Sequence, residues 1–278
     1  MLLIKDINNL KSYINQYKSN NQSIGLIPTM GALHDGHGAL IKSSKEHNDK
    51  TIVSIFINPK QFNKKDDLLL YPVNKGNDYD YAIENNVDII FEPNEKEIYP
   101  NNFQSIKNSF YNNILCDLHR PGHFDGVVTV VNELFNLISP NKVYFGLKDY
   151  QQYKIIEKLI TKSFSDIKIY GVETIRDGEG LALSSRNKLI SKPNREIYIN
   201  FIKEINKFIL TLNPEVDILE ANNLLKFFIK KNNQQIKNFD YHEFRSIEDM
   251  SLNGKIKNSR LFLAFYILNT RIIDNLRV

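Results

Sequence analysis

The sequence predicts an α/β protein: a doubly wound parallel sheet over residues 1–175 and a second, smaller α+β domain over residues 176–278. Three observations carry this. Short apolar, β-branched runs at residues 24–28, 51–57, 87–91, 142–145 and 167–172 alternate with helical periodicity at 38–47, 75–86, 126–138 and 151–161, the rhythm of repeated βαβ units. The runs show little polar alternation, as strands covered by helices on both faces require. After residue 187 the texture changes to helical segments at 194–212 and 216–232, then strand-like runs at 239–244, 261–268 and 270–275. The boundary is expected at 174–180, where two glycines, Gly178 and Gly180, read as a hinge or as a plain surface turn.

Composition narrows the classes. Of 278 residues, 42% are hydrophobic and 24% charged, ordinary for a globular chain. The net charge of +4 lies entirely after residue 176: the chain up to that point carries 20 Lys+Arg against 20 Asp+Glu, and the rest 16 against 12. With no basic stripe, no nucleic-acid partner is expected. No run reaches the ~18 apolar residues of a membrane span, and the opening Met-Leu-Leu-Ile meets Lys5 and Asp6 at once, so neither a membrane nor export is expected. A lone cysteine, Cys116, excludes an intrachain disulfide and any multi-cysteine metal site, and suits a reducing cytoplasm.

Taken in chain order, the first strand runs into Met30, Gly31, Ala32, Leu33, His34, Asp35, Gly36 and His37, which open a helix. Backbone N–H groups at a helix start attract anions, so this turn points to a nucleoside triphosphate. His34 and His37, three apart, share a helical face and can both donate to phosphate oxygens. A zinc pair or a structural pair are the competing readings; the metalloprotease spacing, with histidines four apart and a glutamate between them, is absent. Gln61 leaves the second strand through a proline and can bind a small polar acid, or is an exposed loop glutamine. Arg120 and His123 flank a rigid turn before a helix, an anion site or an ordinary helix entry. Gly146, Leu147, Lys148 and Asp149 follow the fourth strand, with Lys148 a cation for phosphate and Asp149 a carboxylate for ribose, or both a solvated cap. Beyond the boundary, Leu183, Ser184, Ser185 and Arg186 offer two hydroxyls and a guanidinium. In doubly wound sheets ligands bind beyond the strand C-termini, where the first-domain candidates fall.

Residues 28–37, 58–62, 71–72, 120–124, 148–152, 180–187 and 269–275 closely resemble the pantothenate synthetases (pantoate-β-alanine ligases), a family within the His-x-Gly-His nucleotidylyltransferase superfamily. The match is colinear over most of the chain. The resemblance implies a Rossmann-like first domain, a lid-like second one and a cytoplasmic homodimer. It also implies a two-step reaction: pantoate attacks the α-phosphorus of ATP, releasing pyrophosphate, and β-alanine displaces AMP from pantoyl adenylate to give pantothenate. By the same carry-over, residues Met30 to His37 line the ATP site, and His37 matches the residue usually assigned as proton donor. Both imidazoles are read mainly as electrostatic stabilisers, because pyrophosphate can leave with its charge held by Mg²⁺ and cations. Lys148 and Arg186 join them as catalytic cations. Gly146 to Asp149 and Ile175 surround the nucleoside, Leu183 to Arg186 complete the ATP site, Gln61, Gln152 and Arg120 bind pantoate or β-alanine, and Asp78 holds Mg²⁺.

Several positions depart from the family pattern. Leu147 stands where glutamate is common, Val73 where arginine follows Tyr-Pro, Gly38 where leucine is frequent, and Cys116-Asp117 where Glu-Gly is common. Two other functions fit parts of the motif set: a nucleotidylyltransferase with a phosphate-ester acceptor, and a noncatalytic nucleotide sensor. Gln61 and Gln152 favour a neutral, hydroxylated acid over the first; His34, His37, Lys148 and Arg186 favour catalysis over the second.

Overall fold

The computed structural model describes residues 1–63, 65–100, 103–233 and 235–278. The chain divides into two compact units, Met1–Ile175 and Arg176–Val278.

In the first unit β1 (Leu2–Ile4), α1 (Ile7–Ser19), β2 (Ile24–Thr29), α2 (Asp35–His47), β3 (Lys50–Ile55), α3 (Lys65–Leu69), α4 (Lys75–Glu84), β4 (Ile89–Phe91) and α5 (Glu95–Ile98) come first. α6 (Leu115–His119), α7 (His123–Ile138), β5 (Lys142–Gly146), α8 (Tyr150–Ser163) and β6 (Lys168–Val172) follow. The six strands form one parallel sheet in the order β1-β4-β3-β2-β5-β6. This is the doubly wound fold the apolar runs predict. Ile24, Leu26 and Ile27 of β2 are fully buried, as are Ile52 and Val53 of β3, because helices cover both faces. Leu40 and Ile41 of α2 and Ala82 of α4 pack on one face with Ile27, Val53 and Ile90.

Strand order runs one way from β2 through β3 and β4 and the other way through β5 and β6. The switch point therefore lies between the C-terminal ends of β2 and β5, where ligands enter open α/β sheets. The two loops that emerge there hold residues 30–34 and 146–149.

β1 and α1 are additions to the elements expected from sequence. β1 has only three residues, two of them exposed, too short to register as a run. The signal for α1 was present: Asp6 caps its N-terminus by accepting from Asn9 N–H, and Leu10, Ile14 and Tyr17 make one buried face.

The second unit contains α9 (Lys192–Thr211) and α10 (Ile218–Asn232) packed with an antiparallel sheet of β7 (Phe239–Ser246), β8 (Ser259–Ile267) and β9 (Thr270–Arg277). Gly178 and Gly180 belong to a turn of this unit, whose start at Arg176 falls within the expected boundary. An isolated antiparallel bridge joins Arg176 to Ala182, and the Asp177 carboxylate accepts from the N–H groups of Glu179 and Leu181. Arg195 pairs with Asp177 and Glu179, and the Arg176 guanidinium makes a bidentate pair with the wholly buried Asp274 at 2.8 and 2.9 Å. Among the described residues no helix is long and apolar enough to cross a membrane.

Candidate active site

The chain leaves β2 through two successive left-handed residues, Gly31 at φ +81° and Ala32 at φ +51°, before His34 caps α2. Gly31 is required twice over, since a Cβ there would lie 2.8 Å from an Asp78 carboxylate oxygen. The two histidines form a reciprocal capping box. His34 Nδ1 accepts from Gly36 N–H at 3.1 Å, and His37 Nδ1 accepts from His34 N–H at 3.2 Å. The proton of each neutral ring then belongs on Nε2, and the rings stand 4.3 Å apart between centroids.

The backbone N–H groups of this turn are engaged within the protein. The N–H groups of Gly31, Ala32, Leu33, His34 and Gly36 are taken by Thr29 Oγ1, the Asp78 carboxylate (two of them), His37 Nδ1 and His34 Nδ1. With both Nδ1 atoms engaged, the donor of each neutral ring is its Nε2–H. Burial first, then the electrostatic influence of neighbouring His34 and Lys148, pushes His37 down to about 3. At neutral pH His37 is a hydrogen-bond donor without formal charge, which suits the stabiliser reading and not transfer from an imidazolium.

Lys148 lies on the short helical turn after β5 and is close enough to His37 to depress its basicity. Asp149, 3.8 Å from Lys148, makes no capping hydrogen bond at the start of α8 and stays half-exposed. Leu147 is there for packing. A Cβ on Gly171 of β6 would meet its side chain at 2.5 Å, so leucine covers that strand. Gly38 similarly admits the Tyr81 hydroxyl, which donates to Asp35.

Gln61 is 9% exposed and sits at the end of a short helical turn after β3, Pro59–Gln61. It is not the loose loop residue of the alternative reading. Its Oε1 accepts from Asn58, its Nε2 faces the Met30 sulfur, and its backbone carbonyl accepts from His123 Nδ1 at 2.7 Å and from Arg120 at 3.2 Å. His123 therefore carries its proton on Nδ1 and accepts from Arg120 through Nε2 at 3.1 Å. Gly126 of α7 lets the helix press on this turn, since a Cβ would lie 2.5 Å from the Lys60 carbonyl oxygen. Arg120 thus emerges as a support of Gln61 and His123 as part of the site's frame. Sequence spacing hid this, because the partners lie 62 residues apart.

Gln152 is half-buried on the first turn of α8, and its neighbour Gln151 is structural, accepting from Cys116 N–H and donating to the carbonyls of Tyr111 and Ile114. The departing pair Cys116-Asp117 is thereby held in place, with Asp117 accepting from Asn113 N–H. Ile175 ends the first unit, 36% exposed. Leu183, Ser184, Ser185 and Arg186 lie in the second unit, where Ser184 caps a short helical turn, Ser185–Leu189. A cavity of about 330 Å³ opens beside the β2 and β3 ends, bordered by Met30, Ala32, Phe56, Val73, Lys75 and Asp78 among others.

Asp78 does not fit the role of Mg²⁺ ligand. It is 3% exposed, and its two oxygens accept from Ala32 N–H at 2.9 Å and Leu33 N–H at 2.7 Å. Among the described residues no group of three or more His, Cys, Asp or Glu is placed to hold a metal.

A family model described as pantoate-beta-alanine ligase matches residues 2–277. A protein of Clostridium botulinum named pantothenate synthetase is 38% identical over 99% of this chain and 98% of its own length. The crystal structure of pantothenate synthetase from Thermus thermophilus superposes with a TM-score of 0.90 at 30% identity, covering 100% of this chain and 99% of that one. The pantoate-beta-alanine ligase of Francisella tularensis, complexed with beta-gamma ATP and beta-alanine, superposes with a TM-score of 0.81 at 38% identity, covering 100% and 97%.

Proposed function

The chain belongs to the pantoate-beta-alanine ligase family, and on that premise we propose how its residues carry the reaction. It is a ligase that joins pantoate to β-alanine and produces pantothenate. In the first step a pantoate carboxylate oxygen attacks the α-phosphorus of ATP, and the bond to the bridging oxygen breaks to release pyrophosphate. In the second the amine of β-alanine attacks the acyl carbon, AMP departs with its bridging oxygen, and the amine loses a proton.

The observation that supports this reading best is the histidine pair at the sheet's switch point: both Nδ1 atoms are engaged in the capping box, so each neutral ring carries its proton on Nε2, and Lys148 stands near enough to act on His37. Negative charge grows on the leaving pyrophosphate, and donors fixed by a capping box need no reorganisation to meet it. His37, neutral at pH 7, holds its proton through the step; Lys148 supplies the formal charge. Gln61, fixed by Asn58 and the His123–Arg120 frame, orients pantoate together with Gln152. Gly146, Leu147, Asp149 and Ile175 bound the nucleoside in this proposal, and Leu183, Ser184, Ser185 and Arg186 are assigned to ATP on their motif. Mg²⁺ accompanies ATP, held by triphosphate oxygens and water, with no protein ligand assigned. The reading extends to a cytoplasmic homodimer, for which light scattering of the purified protein should give twice the chain mass.

Pantoate-dependent exchange of labelled pyrophosphate into ATP, without β-alanine, tests the first step. Exchange with pantoate and none with nicotinamide mononucleotide or phosphopantetheine is expected; exchange with a phosphate ester instead would move the chain to another acceptor.

A further inference from the structure

Asp78 carries a buried charge that no step of the reaction uses. Its carboxylate crosses 45 and 46 residues of sequence to accept the adjacent N–H groups of Leu33 and Ala32. Successive N–H groups point to one side only where the backbone turns through the left-handed region, as it does at Gly31 and Ala32, and such a concavity binds an anion. In this chain the protein's own carboxylate fills it. Left-handed alanine is strained, and no bond within the turn satisfies these two donors, so the conformation of residues 31–33 depends on α4, where Asp78 sits in the first turn. The same turn sets the entry of α2, and with it the direction of both Nε2–H groups.

We propose that Asp78 is a positioning residue of the reaction: it fills the backbone concavity of residues 31–33, excludes phosphate from it, and so aims the imidazoles of His34 and His37 at the triphosphate. It acts through the turn and not through a metal. The inference rests on the reading of residues 30–37 as the ATP turn.

Asp78→Asn keeps the size, retains one acceptor and sets an amide NH₂ against the second N–H. Pantoate-dependent exchange in this variant should show kcat lowered at least ~10-fold, the ATP KM within ~3-fold and the Mg²⁺ concentration for half-activation within ~2-fold of the parent. Its ¹⁵N imidazole signals from His34 and His37 should shift without any substrate present. Recovery of parental kcat at high Mg²⁺, or unshifted imidazole signals, would overturn the proposal. A second measurement needs no variant: Mn²⁺ added alone to the parent protein should leave the amide signals of residues 32, 33 and 78 sharp, and saturable broadening centred on Asp78 would overturn it. The imidazole and Mn²⁺ readouts involve no turnover, so an inactive parent protein would defeat the ligase reading while leaving this one testable.

Discussion

His37 works through two nitrogens, and two substitutions separate them. Nδ1 accepts from His34 N–H and closes the capping box; Nε2 carries the proton of the neutral ring. Asparagine at 37 places an amide oxygen near the Nδ1 position but ends short of Nε2. Glutamine reaches the Nε2 position with an amide N–H but leaves the box open. Removing one preorganised donor to a developing anion costs about 100- to 1,000-fold in rate, and losing a cap acceptor costs about 1 kcal/mol of stability. His37→Asn should therefore lower pantoate-dependent pyrophosphate exchange ~100-fold or more with urea-unfolding stability within about 0.5 kcal/mol of the parent. His37→Ala should lose the rate and also about 1 kcal/mol, and His37→Gln should exchange faster than His37→Asn despite being less stable. Exchange at the parental rate in His37→Asn, or rates that simply follow stability across the three variants, would refute the division of labour.

Three further outcomes are expected. The His37 imidazole should stay neutral, with its proton on Nε2, from pH 8 down to about 5, as followed by ¹⁵N shifts. Its folded value near 3 lies below the ordinary 6.5, so the unfolded chain binds the extra proton and this residue's contribution erodes stability as pH falls from 6.5 toward 3; a titration midpoint near 6.5 in the folded protein would contradict the burial argument. Arg176→Ala removes the cation from wholly buried Asp274 and leaves its carboxylate with the Tyr198 hydroxyl and the Asn275 N–H, which should cost about 3 kcal/mol in urea unfolding of the second unit, and a loss under about 1 kcal/mol would show the pair to be incidental. Gly126→Ala drives a methyl into the Lys60 carbonyl and should raise the KM for pantoate at least ~10-fold by displacing Gln61, with an unchanged KM refuting the role of that contact.

The sheet was legible because its strands are rich in apolar and β-branched residues: β2, β3, β4, β5 and the edge strand β6 each fall within two residues of an expected run. Boundaries moved where capping chemistry was unusual. α2 begins at Asp35 and not 38, because histidine, seldom a cap residue, serves as one in this turn. Short β1 lacked the length to announce itself, whereas α1 had its periodicity and cap in plain sight. For the site, the motif residues of the first unit that gather at the switch point were readable one by one. Their supports were not: Asp78 under the turn, and His123 behind Gln61, are joined to their targets only by the fold. Reading Asp78 as a ligand followed from the family resemblance; its contacts with main-chain N–H groups, invisible in sequence, are the ground for the positioning role proposed above.

Pantoate carrying ¹⁸O in its carboxylate tests the central claim, that this chain activates the acid as an acyl-AMP. In a complete reaction with ATP and β-alanine, one ¹⁸O should appear in AMP and none in pyrophosphate. Label in inorganic phosphate or pyrophosphate, or unlabelled AMP beside newly made pantothenate, would contradict it.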